Sequence, residues 1–348
     1  MSDAVVIGAG FGGLLCGKIL SRRGFHVTIL ERGTQPGGAL RTFVRDGVRF
    51  DTGFHSVGGR EPGGPLAAIL RSIGVDGLPW IAMEPDEIVG GTDPFLRLST
   101  GWEEEQEHVL EPYRQGVWRL AGGGKTLVDA LAAGQEILLQ KEVTALEDHT
   151  AVCSDGSCYR GDVIVSDIHP QITLQLLHDP VRPVYRKRIE RMENGPGILT
   201  VNAKLRPETL QYINHSIFLD DEVMIHFGEP DDCGFARSLD LMKFAEMPGQ
   251  AGNDAQKQAE KMIRKAAERL PGLPEAIEQY WISTPQTWER YTGTPGGTAY
   301  GLRKHDRQDY IAPQTPLPWL YLTGQNLGLH GLLGTAVTAL NTCKAIAL

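Results

Sequence analysis

The chain opens on a short apolar run, Ala4-Val5-Val6-Ile7, that stops at Gly8. Four apolar residues bounded by glycine read as a buried strand. The period then changes. Leu14 to Arg23 has helical spacing, and Val27-Thr28-Ile29-Leu30 returns to a strand that ends on Glu31. Strand, helix and strand in that order predict a βαβ unit with parallel strands. At the far end, residues 319–326 read as a strand ending near Gly324. A C-terminal helix follows His330, with an expected apolar stripe of Val337, Leu340, Cys343 or Lys344, and Ile346-Ala347. Glu142–Leu146 and Gly161–Ser166 are further strands, with a hairpin turning at Asp155-Gly156 between them. Residues 198–205, 215–219, 223–227 and 238–243 predict a second sheet. Residues 253–270 predict an amphipathic helix whose face Ala259, Met262, Ile263, Ala266, Ala267 and Leu270 packs on a core.

The first turn is Gly8-Ala9-Gly10-Phe11-Gly12-Gly13, which matches G-x-G-x-x-G at Gly8, Gly10 and Gly13. Gly8 allows the tight turn, Gly10 lets backbone approach a pyrophosphate, and Gly13 lets helix and strand pack closely. The helix N-terminus then faces the phosphate charges. Glu31 stands close to the offset of about 20 residues at which an acid accepts hydrogen bonds from a ribose. An acid there repels a 2′-phosphate, so the unit suits FAD or NAD and not NADP. Glu31-Arg32-Gly33 runs on into Pro36-Gly37-Gly38-Ala39-Leu40-Arg41, a second glycine turn with a cation able to fork onto a pyrophosphate. Phe50-Asp51-Thr52-Gly53-Phe54-His55 adds another strand and glycine turn. An NAD dehydrogenase has no need of these additions, so FAD is the expected cofactor.

Composition narrows the class. The chain has 348 residues, is 41% hydrophobic and carries a formal charge of −9. No basic stripe is available to neutralise phosphates, which excludes a nucleic-acid partner. The most basic stretch, Arg186 to Arg191, reads as a solvated helix face. Five scattered cysteines fit a reduced protein, and Cys153 and Cys158, facing each other across the hairpin, are expected as free thiols. No metal site is expected. The apolar N-terminal stretch lacks a preceding basic segment, and no run reaches the roughly 18 to 20 apolar residues of a membrane span. A cytoplasmic protein is therefore expected, with contact to a membrane surface or redox partner compatible with that reading. Gly122-Gly123-Gly124-Lys125-Thr126 ends like a phosphate-binding loop, but the pattern needs glycine where Arg119 stands, and no strand is expected before it. It reads as a glycine turn that caps a helix over Thr126 to Ala133.

The run from Glu31 through Gly37-Gly38 to Arg41, followed by Phe50-Asp51-Thr52-Gly53, resembles the flavin amine-oxidase and phytoene-desaturase superfamily. Thr284-Pro285-Gln286-Thr287, Tyr291 and Gly296-Gly297-Thr298-Ala299-Tyr300-Gly301 are similar to its carotenoid and retinoid branch: carotene isomerases, phytoene desaturases and all-trans-retinol 13,14-reductase-like proteins. The resemblance implies an α/β fold, with a Rossmann-type FAD-binding domain (GR2 type) and an inserted α+β substrate domain containing a mixed sheet. The cofactor domain would take residues 1–75, 119–170 and 300–348, and the substrate domain 76–118 and 171–299. Val143 would contact adenine. Gly324 would approach the ribityl chain, with Gln325, Leu332 and the last helix's start beside the flavin ring. Arg32 would join the adenosine end. The implied activity is FAD-dependent desaturation, saturation or isomerisation of carbon–carbon double bonds in an apolar substrate, whose pocket is mostly shape.

Relatives carry a longer stretch between the FDxGxH strand and the glycine-capped helix than residues 60–121 provide. The GWEEEQEHVLEPY within it is acidic and polar, and a shortened cap implies a more open or smaller pocket, a changed substrate or lost activity. His55, His330 and Tyr300 are candidates for contact with substrate or cofactor, and no catalytic residue is assigned. Two alternatives stay open. An amine or amino-acid oxidase would need an aromatic cage or a carboxylate-binding arginine. A flavin-binding partner subunit would have no turnover of its own.

Overall fold

A strand with apolar side chains on both faces is stable only when covered on both sides, and Asp3–Ile7 lies at the centre of a five-stranded parallel sheet. The computed structural model describes residues 2–91, 112, 115–220, 222–245, 254–305 and 307–346. Across this sheet the order is Leu320–Leu322, Val163–Ser166, Asp3–Ile7, His26–Glu31 and Glu136–Leu139, every pair parallel. The chain runs outward from the central strand in one direction and later returns on its other side. That reversal opens a crevice at the carboxyl ends of the strands.

The helix Phe11–Arg22 begins a turn before the expected Leu14, because Gly10 serves as its N-cap and the helix runs through Gly12 and Gly13. It packs on the C-terminal helix Gly331–Ile346 through small residues. The seam there is Ala336, Ala339 and Cys343, while Val337 and Leu340 are only half-buried and Lys344 is exposed, so the expected stripe is displaced by one position. Close approach explains the shift: the Cys343 thiol reaches the Cys16 carbonyl at 3.8 Å, and Thr342 donates to the Leu322 carbonyl at 2.9 Å.

The second sheet has six strands in the order Ile277–Ser283, Gly197–Leu205, Ser238–Ala245, Val223–Phe227, Ile217–Leu219 and Glu87–Val89. Its pairs are antiparallel except the last, which is parallel, so the sheet is mixed as expected. Alternation sorts its faces. Leu199, Val201, Leu239, Leu241 and Ile225 turn to the helix Ala255–Arg269. Ile198, Met242, Met224 and Phe218 turn the other way.

Four elements depart from expectation. Glu136–Leu139 and Ile277–Ser283 are strands without strong alternation, fixed by pairing rather than by pattern. Thr284-Pro285-Gln286-Thr287 opens the helix Pro285–Thr292: the Thr284 and Thr287 side chains cap each other's backbone N–H groups, and Pro285 sits where no N–H is needed. The strand Trp118–Leu120 does precede the glycine turn at Gly122, paired with Trp80–Ala82 rather than with the parallel sheet. Cys153 and Cys158 are free thiols. The acidic stretch at 101–113 lies outside the described residues except for Pro112, and Asn253 and Ala347 lie outside them too. Among the described residues, no helix is long and apolar enough to cross a membrane.

Leu241 is fully buried between sheet and helix, whereas Val44 is 59% exposed. Leu241→Ala is expected to lower stability by about 2–5 kcal/mol and Val44→Ala by less than about 0.5 kcal/mol. Paired denaturant melts of the two variants would measure the difference.

Candidate functional site

One cavity of about 800 Å³ extends from the carboxyl ends of the parallel strands to the inner face of the six-stranded sheet. Gly8, Gly10, Phe11, Glu31, Arg32 and Gly38 line one side, with Arg41 and Val143. Gln325, His330 and Leu332 line it at the start of the C-terminal helix, and Ile198, Phe218, Met224 and Met242 form the opposite floor. Of the residues expected from sequence, Gly13 and Gly324 do not line it. A Cβ at Gly13 would collide with the Gly8 carbonyl, and one at Gly324 would meet Asp167 at 2.6 Å, so both serve close packing behind the wall.

Glu31 is buried and holds three segments. Its Oε2 accepts from the Ala9 N–H at 2.9 Å, and its Oε1 accepts from the Gly33 N–H at 2.7 Å and from Arg41 Nη2 at 2.9 Å. A carboxylate offers about four lone-pair sites, so roughly one remains for a ligand. Arg41 also donates to the Tyr291 carbonyl at 3.3 Å, while its Nε is buried without a partner. The fork expected on a pyrophosphate is split between Glu31 and the Tyr291 carbonyl, with Nε left over beside the cavity.

Asp51 of the second glycine motif is not a ligand group. Its carboxyl accepts the Gly124 N–H at 2.8 Å at the start of the helix Gly124–Ala132. Burial lifts it to about 6. A helix start already carrying a carboxylate is closed to phosphate.

The inner face of the six-stranded sheet divides into rows. One row runs Thr200, Met242, Met224, Phe218 and Ile88, almost wholly apolar. The next runs Asn202, Asp240, His226 and Ser216. Asn202 donates to Asp240 at 2.6 Å, and His226 lies 3.4 Å from the Ser216 hydroxyl. Burial, with Asp51 nearby, raises Asp240 to about 8. His226 is held well below the usual imidazole range by burial, then by His55 and Arg119. The His55 ring lies 4.8 Å from that of His226; both its nitrogens are buried and unpartnered, and burial lowers it to about 4. It therefore makes no hydrogen bond to backbone and is neutral at pH 7.

His330 is buried and lowered to about 3 by burial and Lys304, with Nδ1 unpartnered. The Tyr300 ring is 6.0 Å away, and both residues line the cavity. Lys304 lies behind them, donating to the Asn326 carbonyl at 2.8 Å, with burial drawing it down to about 7. Asp167, His226, Asp240 and Lys304 were missed from sequence. For the sheet residues the available signal was a polar residue at every second position of a buried strand, as at Asn202 and Asp240. For Asp167 it was an acid immediately after an apolar strand.

A family model described as an NAD(P)-binding Rossmann-like domain matches residues 6–73, and one described as flavin containing amine oxidoreductase matches residues 78–346. All-trans-retinol 13,14-reductase of Macaca fascicularis is 46% identical over 81 residues, which cover 23% of this chain and 13% of the reductase. Prolycopene isomerase 1 of an Oncidium hybrid is 39% identical over 71 residues, covering 20% of this chain and 12% of the isomerase. These matches thus span about an eighth of each relative's length. The crystal structure of an oxidoreductase from Methanosarcina mazei superposes with TM-score 0.76 at 17% identity, covering 98% of this chain and 100% of that one.

Asp240 keeps its proton in the fold up to about 8, whereas an unfolded aspartate ionises at about 3.9. Its contribution is therefore fully favourable only below the lower value, and is lost as pH rises towards the upper one. Asp240→Asn keeps an oxygen for Asn202. The variant is expected to melt above the parent at pH 8, with the gap closing by about pH 4. Thermal melts across pH would test this.

Proposed function

The chain belongs to the flavin containing amine oxidoreductase family, and from that premise we propose that it binds FAD and acts on carbon–carbon double bonds of an apolar substrate. The observation that carries this reading is one continuous cavity, which joins a dinucleotide-type glycine turn to an apolar floor. The residues present fit FAD. Gly10 brings bare backbone to the wall at a helix start, the arrangement that suits a diphosphate. Glu31 retains acceptor capacity for a ribose, and the orphaned Arg41 Nε gives a donor nearby. Bound there, FAD would supply two-electron redox chemistry at its ring.

The chain's own residues bind and exclude water. Ile198, Met224, Met242 and Phe218 offer an apolar substrate a surface without hydrogen-bonding demands. His55 and His330 are neutral at pH 7 and face the cavity, so they can orient a neutral group without adding charge. Neither is poised to release or take a proton near neutrality, which leaves proton exchange to solvent or substrate. Identity with the retinol reductase and the prolycopene isomerase supports the carbon–carbon class.

The purified protein is expected to show a flavin absorption band, and anaerobic addition of a polyene lipid or a reductant should bleach it. Glu31→Ala and Arg41→Ala are each expected to lose most of the bound flavin. Full flavin in both variants would remove the cofactor from this cavity, and hydrogen peroxide release with amines alone would replace the substrate class.

A further inference from the structure

The proposed FAD site contains an acid that a diphosphate would not tolerate in charged form. Asp167 directly follows the strand Val163–Ser166 and lines the cavity. It lies under the glycine turn: a Cβ on Gly10 would stand 2.6 Å from its Oδ2, and Gly12 and Gly13 close over the same carboxyl. It accepts the Gly13 N–H at the helix start. Beyond the end of the strand Leu320–Leu322, Gly324 stands against it, where a Cβ would come 2.6 Å from its Oδ1. Glu31, at the end of the next strand but one, across Asp3–Ile7, acts on it with like charge and is itself paired with Arg41. The thiol of Cys16 faces it from the helix, raised far above neutrality. His169, on its own loop, is lowered to about 4 and stays neutral. Among the described residues, no Lys or Arg forms an ion pair with Asp167.

Resting on the reading that FAD occupies this cavity, we propose that Asp167 makes FAD binding proton-linked, the diphosphate being held only when its carboxyl is neutral. An ionised Asp167 and a diphosphate would compete for the same helix-start N–H groups and repel each other. Burial and then Glu31 already move the free carboxyl to about 7, and two added negative charges move it further the same way. The neutral form is favoured by binding, so affinity is level at low pH and falls as pH rises through neutrality, by up to about tenfold per pH unit.

The test is titration of the flavin-free protein with FAD from pH 5.5 to 9, read by flavin fluorescence. Wild type should bind at least about tenfold more weakly at pH 8.5 than at pH 6. Asp167→Asn keeps an acceptor for Gly13 and should bind with nearly constant affinity, tighter than wild type at pH 8.5. Lys304 is also drawn down to about 7 but bonds to the Asn326 carbonyl, and any pH dependence it added would be equal in both proteins, so the difference between the two profiles isolates Asp167. Calorimetry of wild type at pH 8 in buffers of different ionisation heat gives a readout that needs no variant, with about one proton taken up per FAD. Zero uptake, or an unchanged pH profile in Asp167→Asn, would overturn the proposal while leaving FAD in the cavity. No FAD binding at any pH would instead overturn the reading it rests on.

Discussion

Glu31 ends a strand of the parallel sheet, yet its carboxylate holds the glycine turn through Ala9, the following loop through Gly33, and a third segment through Arg41. Charge-assisted hydrogen bonds to a buried carboxylate are each stronger than neutral ones, and here they converge on one side chain. The turn that forms the cavity wall is thus clamped from beneath. Gly8 supplies the backbone conformation, with φ of +94°, and Glu31 keeps it in place. Removing the carboxylate would leave the buried Ala9 N–H without its acceptor, take an acceptor from the half-buried Gly33 N–H, and leave the half-buried Arg41 with the Tyr291 carbonyl in place of its ion-pair partner, a cost above that of an ordinary surface pair. Every contact the cavity offers at this end depends on that clamp.

The opposite wall follows from pleating. One step along the strands changes the inward row from Met242, Met224 and Phe218 to Asp240, His226 and Ser216. The apolar row carries the cavity floor. The polar row satisfies part of itself by cross-strand bonds, Asn202 to Asp240 and Ser216 to His226. A slip of one residue in register would exchange the inward set for the outward set. The long antiparallel pairing of Gly197–Leu205 with Ser238–Ala245 therefore fixes what the cavity presents.

Legibility from sequence tracked the range of the interactions. The strand at Asp3–Ile7, the glycine turn and Glu31 could be placed because their chemistry is local and ordered along the chain. The four middle strands of the second sheet were legible through their apolar runs. Glu136–Leu139 and Ile277–Ser283 were not, since partners distant in sequence make them strands. Thr284-Pro285-Gln286-Thr287 drew notice as a family likeness, while its reciprocal threonine cap is plain local chemistry. Arg41 was expected to face a phosphate and instead pairs with Glu31, a choice between two acceptors that sequence spacing does not rank. Asp167 offered only the weak signal of an acid after an apolar strand, and its place beneath the glycine turn comes from pairing distant in sequence.

The titratable groups around the cavity share a cause, and each is moved towards its neutral form. Asp167 and Asp240 are raised and His55, His169 and His330 lowered, each chiefly by burial. Desolvation prevails because few opposite charges stand close enough to offset it. The result is a wall polar in composition whose histidines are neutral at pH 7 and whose Asp240 keeps its proton, with the paired Glu31 and Arg41 gathered at the other end. A single cavity can then accept an anionic cofactor tail at one end and an apolar molecule at the other, because the burial that neutralises its histidines and acids also keeps their fields from the floor.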